Sequence, residues 1–121
     1  MPRTPVVIFA EKGRAPLLEW MDGLDETVRN KLIARIDLLA ERGHELRRPH
    51  ADLLRDGIHE LRAVSRHVNY RVLYFFHDGA AVLSHGITKR DAVPPKEIDL
   101  AMARRRLYAA DPRKHTFGEE R

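Results

Sequence analysis

The sequence contains no cysteine, which excludes a disulfide framework and any zinc site built from thiolates. It also contains no apolar run that approaches the roughly 18–20 residues a membrane-spanning helix needs. The apolar stretch close to Met1 is too short for the hydrophobic core of a signal peptide. We therefore expect a soluble, cytoplasmic protein with no membrane partner.

Sequence motifs of several common enzyme classes are absent as well. There is no glycine-rich phosphate loop, no dinucleotide-binding fingerprint and no HExxH zinc motif. We accordingly expect neither a cofactor nor a metal. The chain of 121 residues does have a surplus of basic residues, with 22 Lys and Arg against 18 Asp and Glu and a net charge of +4. Such a charge favours an anionic partner, either nucleic acid or an acidic protein.

The basic residues are concentrated in the middle of the chain. Between residues 47 and 71, arginines outnumber the acidic residues Asp52, Asp56 and Glu60. Two of these arginines, Arg62 and Arg71, belong to predicted strands. The other arginines are candidates for contact with RNA phosphates: Arg47, Arg48, Arg55 and Arg66.

The first third of the chain has the pattern of one short strand followed by two helices. Val6–Ala10 is short and β-branched, which predicts a strand. Pro16 suits the first turn of a helix that Gly23 would end. A second, longer helix is predicted between Asp25 and Gly43, because apolar residues recur at spacings of three or four: Val28, Leu32, Ile36 and Leu39.

Beyond a basic loop centred on Pro49, the pattern changes to that of extended chain. β-branched and aromatic residues predict strands over Ile58–Val64, Val68–Phe76 and Ala80–Ile87. Asp78-Gly79 is a typical hairpin turn between two apolar runs. The last three elements are therefore predicted to form an antiparallel meander.

The C-terminal part is predicted to be one helix and a tail. Pro95 can begin a helix that continues to Leu107 or Tyr108. Residues 113–121 are polar and are expected to be frayed. The whole chain, 1–121, is then a single α+β domain, in which a helical hairpin packs on one face of a twisted antiparallel sheet with a C-terminal helix.

Four sequence segments resemble the RelE/HigB superfamily of bacterial toxins, and most of all its phage-derived HigB-like branch. Gly57–Arg62 is similar to the family's Gly-x-x-Glu-Leu-Arg strand, and Tyr70–Phe75 to its Tyr-Arg-aliphatic strand. Leu83–Arg90 is similar to its Leu-x-His-Gly-x-x-Lys-Arg segment, and Pro94–Ile98 to the loop that leads into the last helix. The resemblance covers roughly residues 57 to 108.

The resemblance implies a toxin that cleaves mRNA in the ribosomal A site without a metal, using the 2′-OH of the RNA as the attacking group. Arg71 would hold the scissile phosphate, and Arg62 would contribute to the same cradle. Lys89 and Arg90 match the basic pair after the third strand, where Arg90 would stabilise the transition state. Lys96 stands near the position where some relatives have a tyrosine or histidine.

The residue that moves the proton is not assigned by the resemblance. His59, Lys89 and Lys96 are the candidates for the general base. His85 is expected to be a packed or hydrogen-bonded strand residue rather than a catalyst.

The resemblance also implies partners and leaves two other functions open. A cognate helix-turn-helix antitoxin would cover the toxin, and the pair would bind operator DNA only through the antitoxin. One alternative is a ParE-like toxin that inhibits DNA gyrase by binding. The other is a catalytically degenerate module that binds the antitoxin.

Overall fold

The computed structural model, which describes residues 3–88 and 91–118, has five strands in one mixed sheet, three α-helices and two short 3-10 helices. The strands, in chain order, are β1 (Val6–Ile8), β2 (Ala51–Arg55), β3 (Ile58–Ser65), β4 (Val68–His77) and β5 (Ala80–Thr88). Their order across the sheet is β1-β5-β4-β3-β2. β1 is parallel to β5, and the other neighbours are antiparallel. The predicted α+β class is confirmed.

The helices are α1 (Pro16–Asp22), α2 (Glu26–Arg42) and α3 (Pro95–Ala110). Both α1 and α3 begin with proline, whose fixed φ suits the first helical turn. The predicted helical hairpin is found only in part, because α1 has two turns and packs on β5, whereas α2 packs on β3. Over residues 3–88 and 91–118, no helix is long and apolar enough to cross a membrane.

The helices cover both faces of the sheet, which corrects the expectation that they would lie on one. α1 and α2 cover a core that includes Leu61 and Val72, whereas α3 covers a core that includes Leu73 and Phe75. Successive side chains of a strand point to opposite faces, so the unbroken apolar run of β4 supplies both cores.

β2 was not predicted from the sequence. The stretch after Pro49 was expected to be part of a basic loop. Ala51–Arg55 instead pairs with β3 and forms one edge of the sheet. An edge strand needs only one neighbour and one covered face, so its pattern is weaker than that of the central strands.

The predicted frayed tail is packed as far as the structure describes it. Arg113–His115 forms a short 3-10 helix, and Thr116 bridges to Phe9 beside β1. The His115 ring stacks on Phe9 with centroids 5.2 Å apart. Residues 113–118 therefore belong to the folded domain, and 119–121 lie outside the described residues.

Candidate anion-binding site

The hairpin of β3 and β4 brings Arg62 and Arg71 together. The register pairs these two residues directly, and residues that pair across two strands lie on the same face of the sheet. Glu60 lies two residues before Arg62, so strand alternation places it on that face too. This is the α3 face, because Leu73 and Ile58 share it. We call Glu60, Arg62 and Arg71 the arginine cluster.

The carboxylate of Glu60 lies between the two guanidinium groups. Arg71 Nη1 donates a hydrogen bond of 2.8 Å to Glu60 Oε1, and Arg62 Nε lies 4.0 Å from Glu60 Oε2. Glu60 is only 3% exposed and Arg71 only 8%, whereas Arg62 is half-buried. Arg71 Nε is buried and has no hydrogen-bond partner within the described part of the chain.

The arrangement is suited to binding an anion. Two arginines and one carboxylate leave the cluster with a formal surplus of one positive charge. A guanidinium with an unengaged N–H can donate to phosphate or carboxylate oxygens in a fixed, planar geometry. A buried donor without a partner is rare in folded proteins, which makes Arg71 Nε the feature that most needs a ligand.

Basic side chains of α2 support the strand that carries Arg62 and Glu60. Arg35 Nε donates to the carbonyl oxygen of Arg62 at 3.1 Å, and Lys31 Nζ donates to that of Val64 at 3.0 Å. β2 pairs with β3 only as far as Leu61, so these carbonyl groups face no neighbouring strand. The two donations satisfy acceptors that would otherwise remain at the sheet edge.

Lys89 and Arg90, the predicted basic pair after β5, lie outside the described residues. The last residue of β5, Thr88, pairs with Tyr70, and Ile87 pairs with Arg71. β5 therefore ends beside the arginine cluster.

Lys96 lies in the first turn of α3 and is exposed. Its neighbour Glu97 accepts a hydrogen bond from the ring of His85 at 3.1 Å, and His85 pairs with Leu73 of β4. The beginning of α3 thus lies over the strand that carries Arg71, but no described contact joins Lys96 to the cluster.

His85 is packed and hydrogen-bonded, as predicted. Only 6% of it is exposed, and its Nδ1 lies 2.7 Å from Ser84 Oγ. Burial lowers the pKa of the His85 ring, the positive charge of Arg104 lowers it further, and the hydrogen bond to Glu97 opposes both. His85 therefore connects β5 to α3 in its neutral form.

His59 cannot serve the arginine cluster as general base. It alternates with Glu60 along β3, so its side chain is on the opposite face of the sheet. There its ring stacks on Tyr74 with centroids 5.1 Å apart and meets the edge of Phe76. Burial and the nearby His44 and Arg47 lower the pKa of His59.

Three of the four arginines predicted to contact RNA are engaged within the chain. Arg48 forms an ion pair of 2.7 Å with Asp52, and Arg55 forms one of 2.7 Å with Asp99 of α3. Arg47 donates to the carbonyl oxygens of His44 and Leu46. Arg66 is exposed in the turn between β3 and β4, without an ion pair inside the described ranges.

Glu60 is the member of the cluster that sequence reasoning missed. In the sequence, Glu60 is marked only as part of the Glu-Leu-Arg motif and as a negative charge in a basic stretch. Its spacing of two from Arg62 within a predicted strand was the available signal, because it implies a shared face. Its contact with Arg71 depends on the register of the hairpin.

Comparison with known protein families matches residues 19–114 to the family described as "Phage derived protein Gp49-like (DUF891)". The matched range runs from α1 through α3 and includes the whole arginine cluster. No curated protein matches the chain.

Proposed function

Because the chain belongs to the phage-derived Gp49-like family, which is toxin-like, we propose that it is the toxin of a type II toxin–antitoxin pair. Its activity is that of a ribosome-dependent mRNA endoribonuclease of the RelE/HigB kind. The observation that carries the proposal is the pairing of Arg62 with Arg71 on one sheet face, with a buried and unengaged Arg71 Nε.

The reaction needs charge stabilisation more than it needs a covalent group from the protein. The 2′-oxygen attacks phosphorus and loses its proton, and the bond from phosphorus to the 5′-oxygen breaks as that oxygen gains a proton. The products are a 2′,3′-cyclic phosphate and a 5′-hydroxyl. Arg71, with Arg62 beside it, stabilises the negative charge on the five-coordinate phosphate, a contribution that is often the largest in such catalysis.

Proton transfer would fall to basic groups near the cluster. With His59 on the other face of the sheet, Lys89 and Lys96 remain as candidate bases, and Arg90 as a further donor to the transition state. A lysine can serve as a base where neighbouring positive charges favour its neutral form.

The proposal includes partners and a place of action. The toxin binds mRNA and the ribosomal A site in the cytoplasm. Its cognate helix-turn-helix antitoxin covers the arginine cluster, and operator DNA is bound only through that antitoxin. The exposed Arg66 contributes to RNA contact, while the ion-paired Arg48 and Arg55 contribute less, because RNA phosphates must compete with Asp52 and Asp99.

Expression of single variants in cells tests this function. The wild type, Arg71→Lys and Arg62→Ala are induced separately, growth is followed, and mRNA 5′ ends are mapped. We expect growth arrest with codon-phased cleavage for the wild type, and at least a 100-fold loss of cleavage for Arg71→Lys, because lysine lacks the guanidinium fork. Arg62→Ala should lose less, because Arg62 lies farther from Glu60 and is more exposed.

Arg106→Ala is the matched control, since Arg106 is an exposed arginine of α3 without a described contact to the cluster. It should cleave like the wild type, and circular dichroism should show that all variants are folded. Arrest with intact mRNA and a DNA-damage response would identify a gyrase inhibitor instead. Absence of arrest from the wild type would leave an antitoxin-binding module.

A further inference from the structure

Glu60 has no role in the proposed reaction, yet it is the most buried charged group of the arginine cluster. Fully buried carboxylates are rare unless they are paired. Here the carboxylate lies within 2.8 Å of Arg71 and 4.0 Å of Arg62. It also explains how two arginines can face each other across neighbouring strands, where like charges repel.

The contact engages only one side of the Arg71 guanidinium. Glu60 Oε1 accepts from Nη1, which lies on the far side of the group from the Nε–H edge. Nε remains buried and has no hydrogen-bond partner among the described residues. Leu73 and Ile87, the apolar neighbours of Arg71 on this face, offer it no acceptor. The ion pair thus fixes the guanidinium while leaving one donor edge unengaged.

We propose that Glu60 is a positioning residue, which holds Arg71 so that its Nε–H donates to a phosphate oxygen of the bound ligand. The phosphodiester as ligand rests on the proposed function, whereas an anion site at Arg71 Nε does not. A donor fixed before binding loses less conformational entropy on binding than a free arginine would. Arg62, less buried and only loosely paired, supplies the second positive charge.

An opposite role for the same residue makes a different prediction. If Glu60 only occupied the place of the phosphate and had to be displaced, removing its charge would strengthen anion binding. If it positions Arg71, removing its acceptor oxygen weakens binding, and an isosteric amide that keeps this oxygen preserves it. Glu60→Gln and Glu60→Ala therefore separate the two roles.

NMR of the arginine Nε–H groups in ¹⁵N-labelled protein tests the proposal directly. Inorganic phosphate is titrated at constant ionic strength, with chloride as the reference anion, and the Arg71 signal is identified by its loss in Arg71→Lys. We expect phosphate to shift the Arg71 Nε–H signal in the wild type. Glu60→Gln should bind within about threefold of the wild type, and Glu60→Ala at least tenfold more weakly.

Two results would overturn the proposal. One is an Arg71 Nε–H signal that does not respond to phosphate in the wild type, a result that does not depend on the folding of either Glu60 variant. The other is phosphate binding that becomes more than threefold tighter in Glu60→Gln, or tighter than the wild type in Glu60→Ala. Failure of the proposed function looks different: phosphate shifts the Arg71 signal, but no mRNA is cleaved in cells.

Discussion

At the scale of single residues, Glu60 and Arg71 form an ion pair where an isolated charge of either sign would be unstable. Burial of both side chains costs desolvation energy, and for buried ion pairs this cost can exceed the mutual attraction. Apolar residues of similar volume often serve stability as well or better in such places. The neighbours Leu73 and Ile87 are apolar, so the fold does not need charge here, which favours a binding role for the pair.

Two histidines with lowered pKa values, His85 and His59, give the stability of the protein a defined pH dependence. Burial lowers the pKa of His85 below the value of about 6.5 for an unfolded chain, so the unfolded state binds the proton more readily. The stabilising contribution is present above about pH 6.5 and is lost as the pH falls through the folded-state pKa. We expect the free energy of unfolding to decrease between about pH 7 and pH 5, and less so in His85→Asn.

Urea denaturation at a series of pH values measures this effect. His59→Asn is the matched variant, because burial lowers the pKa of His59 too, on the other face of the sheet. Each single variant should make the free energy of unfolding depend less on pH, and the double variant should do so more than either. Equal slopes for His85→Asn and the wild type would contradict the assignment.

Strand alternation predicted part of the site from the sequence. Within the predicted strand Val68–Phe76, alternation places Arg71 on the face of Leu73 and Phe75, as the structure has it. The same alternation separates His59 from Arg62 and could have excluded His59 as a base. The contact of Glu60 with Arg71 could not be predicted, because it depends on a hairpin register that packing selects.

At the scale of elements, one extra residue in β5 decides which side chains face which helix. Leu73 pairs with His85 but Tyr74 pairs with Leu83, so Ser84 has no counterpart across the ladder. Leu83 therefore packs with α1 and α2, while Ile87 packs with α3. Without the extra residue, these two positions would share a face.

The same shift turns Gly86 toward α1, where the ring of Trp20 lies against it. A Cβ atom at position 86 would collide with three carbons of that ring. We expect Gly86→Ala to lower the free energy of unfolding by about 1–3 kcal/mol, because an overpacked core must shift its side chains. Urea unfolding of the purified variant measures the loss.

Gly23→Ala is the control for that substitution. Gly23 has right-handed backbone angles, and an added Cβ would lie 3.6 Å from the Trp20 carbonyl oxygen, an ordinary contact. Its stability should stay within about 0.5 kcal/mol of the wild type. Trp20→Leu in the Gly86→Ala background should recover part of the loss, and if it adds to the loss, the ring is not the obstacle.

The elements with strong periodicity were predicted well, and the one strand without a clear pattern, β2, was missed. α2 and the three strands from β3 to β5 follow clear apolar patterns, and their observed bounds agree with the prediction to within a few residues. β2 was missed because Asp52 and Arg55 interrupt a short edge strand. The second covered face could have been predicted, since Val72–Phe75 form an unbroken apolar run and a strand with one solvated face would alternate.

At the scale of the whole molecule, the two edges of the sheet are protected from pairing with other chains in different ways. β2 forms one edge, with charged residues at Asp52 and Arg55. The other edge, β1, is covered by the C-terminal segment: Phe117 N donates to the carbonyl of Ile8, and Ala10 N to that of His115. Covering an edge in this way removes a template for pairing with other chains.

Truncation before Pro112 therefore removes a structural part of the sheet. The stack of His115 on Phe9, the hydrogen bond of 2.9 Å from the His115 ring to the Ala10 carbonyl and the bridge from Thr116 to Phe9 would all be lost. We expect such a protein to be about 2–4 kcal/mol less stable, because Phe9 becomes exposed and the β1 edge opens. Unfolding curves measure the loss of stability. Light scattering at rising protein concentration measures association through the open β1 edge. Lys114→Ala, which changes an exposed side chain of the same segment, is the control and should change neither quantity. A truncation before Pro112 with unchanged stability would show that the segment does not contribute to the fold.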